Sequence, residues 1–138
     1  MIEHASGTFD VKLAPQQDAG VQSSDPAKQP TVGRLLLSKQ FHGDLIAKSE
    51  GQMLAYRSTV NGSAGYVAME QVAGILRGRS GTFVLQHSGT MNRGAATLDL
   101  NVVPDSGTDE LAGLVGSMKI NIVEGKHFYE FDYEIPAR

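Results

Sequence analysis

The sequence predicts an all-β protein, a single closed antiparallel barrel of eight strands. Three observations carry that expectation. Apolar residues alternate with polar ones along short segments and never recur at helical spacing over three turns. Sixteen glycines in 138 residues punctuate these segments together with Asn, Asp and Ser, against roughly 7% glycine in ordinary usage. Three hairpins, each placed in register on its own, put their apolar residues on one face. A train of antiparallel strands with one buried face is most simply closed on itself, because closure removes exposed edges.

Strands are expected at 5–13, 32–49, 52–60, 65–76, 82–92, 95–103, 116–123 and 126–134. The first leads into a segment from Pro15 to Pro30 that has almost nothing to bury, so a long mobile surface loop is expected over about 15–31. The second, 32–49, is long and expected to bend at Gly43 before turning at Glu50-Gly51 into the third. A tight turn there sets Asp44 opposite Arg57, an ion pair of structural character. The register of 32–60 stays open. A tight Asn61-Gly62 turn sets Met53 opposite Glu70, and a longer loop flips that face.

For the fourth and fifth strands, a two-residue loop at Arg79-Ser80 sets Leu76 opposite Phe83, Gly74 opposite Leu85 and Val72 opposite His87. A loop at Arg93-Gly94 then sets Leu98, Leu100 and Val102 of the sixth strand opposite Gly89, His87 and Leu85. One face of these strands carries Tyr66, Glu70, Val72, Phe83, Leu85, His87, Met91 and Leu100, while Gln86, Ser88, Thr97 and Asp99 lie on the reverse. One helical turn is expected near Thr108-Asp109-Glu110-Leu111, with Thr108 as cap and Leu111 packing inward. In the last hairpin a loop at Glu124-Gly125 sets Ile122, Ile120 and Met118 opposite His127, Tyr129 and Phe131, with Lys119 facing Glu130 on the far side.

Composition narrows the function classes. The chain is short enough for one domain, 1–138. Twelve Lys and Arg against fifteen Asp and Glu give a formal charge of −3, with no basic excess to hold a phosphate backbone, so no nucleic-acid partner is expected. The purest apolar runs, such as Leu35-Leu36-Leu37, are far too short to span a bilayer, and no basic region or apolar run marks a secretory signal; a cytoplasmic location without membrane attachment is the expectation. Cysteine is absent, which removes thiolate chemistry and disulfides. No phosphate loop, nucleophile elbow or zinc helix is present. His42 and Asp44 form a lone His-x-Asp pair with no third ligand in sequence, so neither metal nor cofactor is expected.

Five segments carry a family resemblance: Phe41-His42-Gly43-Asp44-Leu45, Gly65-Tyr66-Val67-Ala68-Met69-Glu70, the run from Gly81 to Met91, Val103-Pro104-Asp105-Ser106-Gly107-Thr108 and Gly125-Lys126-His127-Phe128-Tyr129. Together they resemble a family of small bacterial proteins, a domain of unknown function in the allene-oxide-cyclase-like barrel superfamily. The resemblance covers nearly the whole chain outside the Pro15 to Pro30 segment. It implies the same closed eight-stranded barrel and a hydrophobic cavity. The plant cyclases of that superfamily rearrange a fatty-acid epoxide, but none of their catalytic residues is matched to a position here, so no reaction is implied.

An eight-stranded barrel is about wide enough to be filled by side chains or to hold one small ligand. The inward polar groups are therefore the candidate site. Glu70, opposite Gly89 and diagonal to His87, is a candidate acid/base pair with His87. Tyr66, Met91, His127, Tyr129 and Tyr133 are candidate ligand contacts. Pairing between Glu70 and His87 would equally serve the fold alone, and aromatic residues are ordinary strand and core material. Three functions follow: a barrel that binds a small, mostly apolar ligand in its interior or at its mouth; an isomerase or cyclase using Glu70 and His87; and a filled scaffold that forms a homodimer through outward apolar residues such as Val67, Met69, Val84 and Phe128. Glu70→Gln separates the first two, since an enzyme loses turnover and a binder does not.

Overall fold

The computed structural model describes residues 2–16 and 31–136. Eight strands, β1 (Glu3–Gln16), β2 (Gly33–Gly43), β3 (Leu45–Arg57), β4 (Ala64–Leu76), β5 (Arg79–Asn92), β6 (Ala95–Val102), β7 (Val115–Val123) and β8 (Lys126–Glu134), run in sequential antiparallel order. They close into one barrel. β8 returns to β1 with Phe131 opposite Ala5. The loop expected over 15–31 lies largely outside the described residues, since 17–30 are not among them.

Turn chemistry sets the registers. Arg93-Gly94 and Glu124-Gly125 carry positive φ at both positions, the backbone of a two-residue hairpin turn that matches strand twist. They give the expected pairs, Leu98 with Gly89 and Met118 with Phe131. The β4–β5 turn uses the same arrangement at Arg77-Gly78, φ 45° and 84°, rather than at Arg79-Ser80. Leu76 therefore meets Arg79 and not Phe83, a slip of four residues. Because the slip is even, every side chain keeps its face.

A second correction concerns β2 and β3. The chain does not turn at Glu50-Gly51; β3 runs straight through them, and the turn falls at Gly43-Asp44, with Gly43 at φ 103°. Gly51 instead sits against β4 opposite Glu70, where an added Cβ would lie 2.1 Å from the Met69 carbonyl oxygen. Met53 consequently faces Ala68. Asp44 does not pair with Arg57: its carboxylate accepts from the Ser6 amide at 3.0 Å and from Arg77 at 3.3 Å.

The barrel is a cup. At one end the β6–β7 connection folds inward through a short 3-10 turn, Asp109–Leu111, and buries Leu111 and Leu114 completely. These leucines join Val72, Leu76, Phe83 and Phe131 in the core. Thr108 makes no side-chain cap; its hydroxyl accepts the Thr82 amide at 3.0 Å and ties the connection to β5. Phe83 and Phe131 stack with centroids 6.0 Å apart. At the other end, marked by the β3–β4, β5–β6 and β7–β8 hairpins, inward-facing residues stay in water: Met91 is 44%, Leu98 38% and Ile122 64% exposed. Among the described residues no helix is long and apolar enough to cross a membrane.

Candidate functional site

Period-two alternation sends Lys39 inward from β2 between Leu37 and Phe41, and Ser49 inward from β3 after Leu45 and Ala47. Glu70 enters from β4 and His87 from β5. All four side chains are buried. They meet midway along the barrel. Glu70 accepts from Lys39 Nζ at 3.1 Å, from Ser49 Oγ at 2.5 Å and from His87 Nε2 at 2.7 Å. The far side of the imidazole, Nδ1, lies 3.2 Å from the Tyr66 hydroxyl. Lys39 also sits 4.7 Å over the Phe9 ring centroid, a favourable place for an ammonium.

Glu70 and His87 thus touch even though Glu70 faces Leu85 instead of Gly89, since the slipped register keeps them diagonal. Gly89 faces Tyr66. The tyrosine ring covers it, with an added Cβ falling 2.6 Å from Tyr66 Cε1. Neither Lys39 nor Ser49 is marked as a site residue by the sequence alone. The alternation of 32–49 already put Lys39 on the apolar face, but without the Gly43-Asp44 turn nothing aimed it at Glu70.

Burial pushes the Glu70 carboxyl up, but the His87 hydrogen bond, the Lys39 ammonium and the Ser49 hydroxyl outweigh it and hold the group below its ordinary value of 4.5. The unfolded chain then binds this proton more readily than the folded one. Stability from Glu70 is fully present above pH 4.5 and is lost as pH falls through the lower folded value. Urea midpoints followed from pH 7 to pH 3 should drop below about pH 4.5, and Glu70→Gln should flatten that slope. An equally steep slope in the variant would assign the acid sensitivity to other carboxylates.

The mouth holds a pocket of about 540 Å³. Its inward-facing lining includes Met53, Ala55, Tyr66, Met91 and Leu98, with Arg57 at the rim. Thr90 and Thr97, also at its edge, bond each other through their hydroxyls at 2.7 Å. Burial and the Glu70 charge both raise the Tyr66 phenol, which keeps its proton at neutral pH. Glu70 and His87 do not line the pocket and are linked to it through Tyr66.

The other candidate contacts are elsewhere. His127 is half-buried and packs its ring 5.1 Å from Phe9. Tyr129 is locked into the fold: its hydroxyl donates to the His42 carbonyl and accepts from the Leu45 amide, each at 2.9 Å. Tyr133 stacks on Phe131 at 5.3 Å. Neither tyrosine lines the mouth pocket. His42 bonds Asp10 at 3.0 Å, and among the described residues no group of three or more His, Asp and Glu side chains could hold a metal.

The chain resembles a solved protein of unknown function from Shewanella oneidensis MR-1, whose crystal structure was determined at 1.84 Å resolution. The two are 46% identical, the alignment covers 99% of this chain and 100% of that one, and the TM-score is 0.89. A comparison with curated proteins returns no match. Residues 5–133 match the DUF3224 family, described as proteins of unknown function. The same residues build the barrel and line its mouth, and the chain belongs to the DUF3224 family.

Proposed function

We propose that this barrel binds a small, mostly apolar molecule at its open end. The observation that carries the reading is the mouth pocket: inward-facing Met91 and Leu98 are left in water around one half-buried phenol, Tyr66. Exposed apolar side chains on the inner face of a cup are stabilised by whatever covers them. The resemblance to allene-oxide-cyclase-like barrels supports the same reading.

Native mass spectrometry of protein purified without detergent tests it, together with titration of 2-methoxynaphthalene followed by NMR. The expected result is an adduct lost on denaturation, or saturable probe binding that Met91→Arg weakens at least about tenfold, roughly 1.4 kcal/mol. Met91 is 44% exposed, so the variant should fold normally. A bare mass with no saturable binding would sink the proposal.

A catalytic reading is favoured by the buried chain from Lys39 through Glu70 and His87 to Tyr66. Such a chain can hold or move a proton at the Tyr66 oxygen, where an isomerase or cyclase would need it. A homodimer is favoured by Leu36, Leu54, Val67 and Met69, which stand 42–51% exposed on the outer face. The native mass reports that in the same run.

A further inference from the structure

The hydrogen-bond directions around Tyr66 specify the polar group of the bound molecule, given that the mouth is the binding site proposed above. An ionised carboxylate accepts and never donates. Glu70 takes protons from Lys39 and Ser49, so the His87 nitrogen facing it, Nε2, must also bring one. Inside this buried cluster the single ammonium of Lys39 already balances the single carboxylate of Glu70. A second cation there would have no counter-ion within the cluster. A neutral imidazole that gives its one proton from Nε2 to Glu70 has a bare Nδ1, an acceptor. The partner of Nδ1 is the Tyr66 hydroxyl at 3.2 Å, and to a bare Nδ1 the phenol gives its one proton inward. The phenol oxygen is left with acceptor lone pairs alone, and Tyr66 lines the pocket.

We infer that the mouth selects apolar molecules that carry a hydroxyl, an alcohol or a phenol, over molecules whose polar group only accepts, such as ketones and ethers. A hydroxyl donates to the Tyr66 oxygen. A carbonyl placed there sets two acceptors face to face. Arg57, the inward-facing cation of the lining, is exposed at the rim, where water and salt weaken its pull on an acid.

Three probes of one ring system test the inference on the full chain at pH 7.5: 2-naphthol, 2-methoxynaphthalene and 2-acetylnaphthalene, titrated by calorimetry or NMR. The naphthol is expected to bind about five- to tenfold more tightly than the other two, the worth of one net neutral hydrogen bond. The methyl ether is the more apolar of the pair, so partitioning alone predicts the opposite order. Tyr66→Phe should erase the preference, bringing the naphthol to the affinity of the ether on the same variant. An ether or ketone that matches the naphthol on the native protein overturns the inference while leaving the mouth a binding site. A preference that survives Tyr66→Phe overturns it as well. If none of the three binds, the mouth itself is not an apolar site and the inference falls with it. The ligand series on native protein decides the matter even if the variant misfolds.

Discussion

Glu70→Ala should cost the fold about 3–5 kcal/mol, the range found when one member of a buried ion pair is removed. The loss does not come from the missing attraction alone. Lys39 keeps its ammonium inside the barrel, 4% exposed, over the Phe9 and Phe41 rings. An ammonium held by aromatic faces without a carboxylate is a desolvated charge without its counter-ion. Ser49 and His87 lose their acceptor in the same step. Urea denaturation followed by circular dichroism measures the change directly. Lys39→Met should be costly for the converse reason, while Lys39→Met combined with Glu70→Leu should recover more than half of the loss, since an apolar replacement leaves neither charge stranded. A Glu70→Ala variant within about 1 kcal/mol of the native protein would show that water reaches the cluster and compensates Lys39. The same physics makes Glu70→Gln a poor reporter of catalysis. The amide still accepts from Lys39 but removes the negative charge, so lost activity could be lost folding. Tyr66→Phe touches the pocket and leaves the ion pair intact, so it is the cleaner variant.

The inward face of the barrel was legible because period-two alternation survives any even error in register. The β4–β5 loop was expected two residues too late, yet Tyr66, Glu70, Val72, Phe83, Leu85, His87 and Met91 all face inward as read. The two hairpins with an X-Gly pair in the turn were placed correctly, and Arg77-Gly78 obeys the same rule. The alternative turn at Arg79-Ser80 is attractive only because Gly78 and Gly81 flank it. The β2–β3 turn was hidden by a different ambiguity. Gly51 follows Ser49-Glu50 and reads as a turn, but this glycine serves the close approach of β3 to β4. Sequence distinguishes a glycine that turns from one that makes room only when the partner strand is known. A turn at Glu50-Gly51 takes Lys39 and Ser49 away from the site, and with the register of 32–60 open neither residue is aimed at Glu70. The division of labour among the tyrosines was likewise invisible. Tyr66 and Tyr129 both lie on the inward face, and only their height in the barrel separates a pocket wall from a clamp on the Gly43-Asp44 turn.

Leu111→Ala should destabilise the protein by about 2–5 kcal/mol, as truncation of a fully buried leucine does, whereas Leu98→Ala should cost about 1–2 kcal/mol at most, because a side chain partly in water has less transfer energy to lose. The two leucines mark the two ends of the cup: Leu111 is 0% exposed and Leu98 is 38% exposed. The closed end cannot relax to fill the gap. Thr108 holds the connection to β5 through the Thr82 amide, and at Gly107 and Gly81 the backbone of this segment already packs too closely for an added Cβ. A cavity beneath Leu111 would therefore persist, and its surroundings, Phe83 and Phe131 among them, would lose contacts outright. For a domain of this size the loss corresponds to a fall in Tm on the order of 10 °C, readable by calorimetry or circular dichroism. Probe binding should show the reverse order: Leu98→Ala weakens 2-methoxynaphthalene at the mouth, while Leu111→Ala, once folded, leaves it within about twofold. Equal stability losses at the two positions would mean that the mouth is core, closed over Leu98 in solution, and the cup would then be a filled barrel. Separation of the two effects is what a fold with one sealed end and one working end requires.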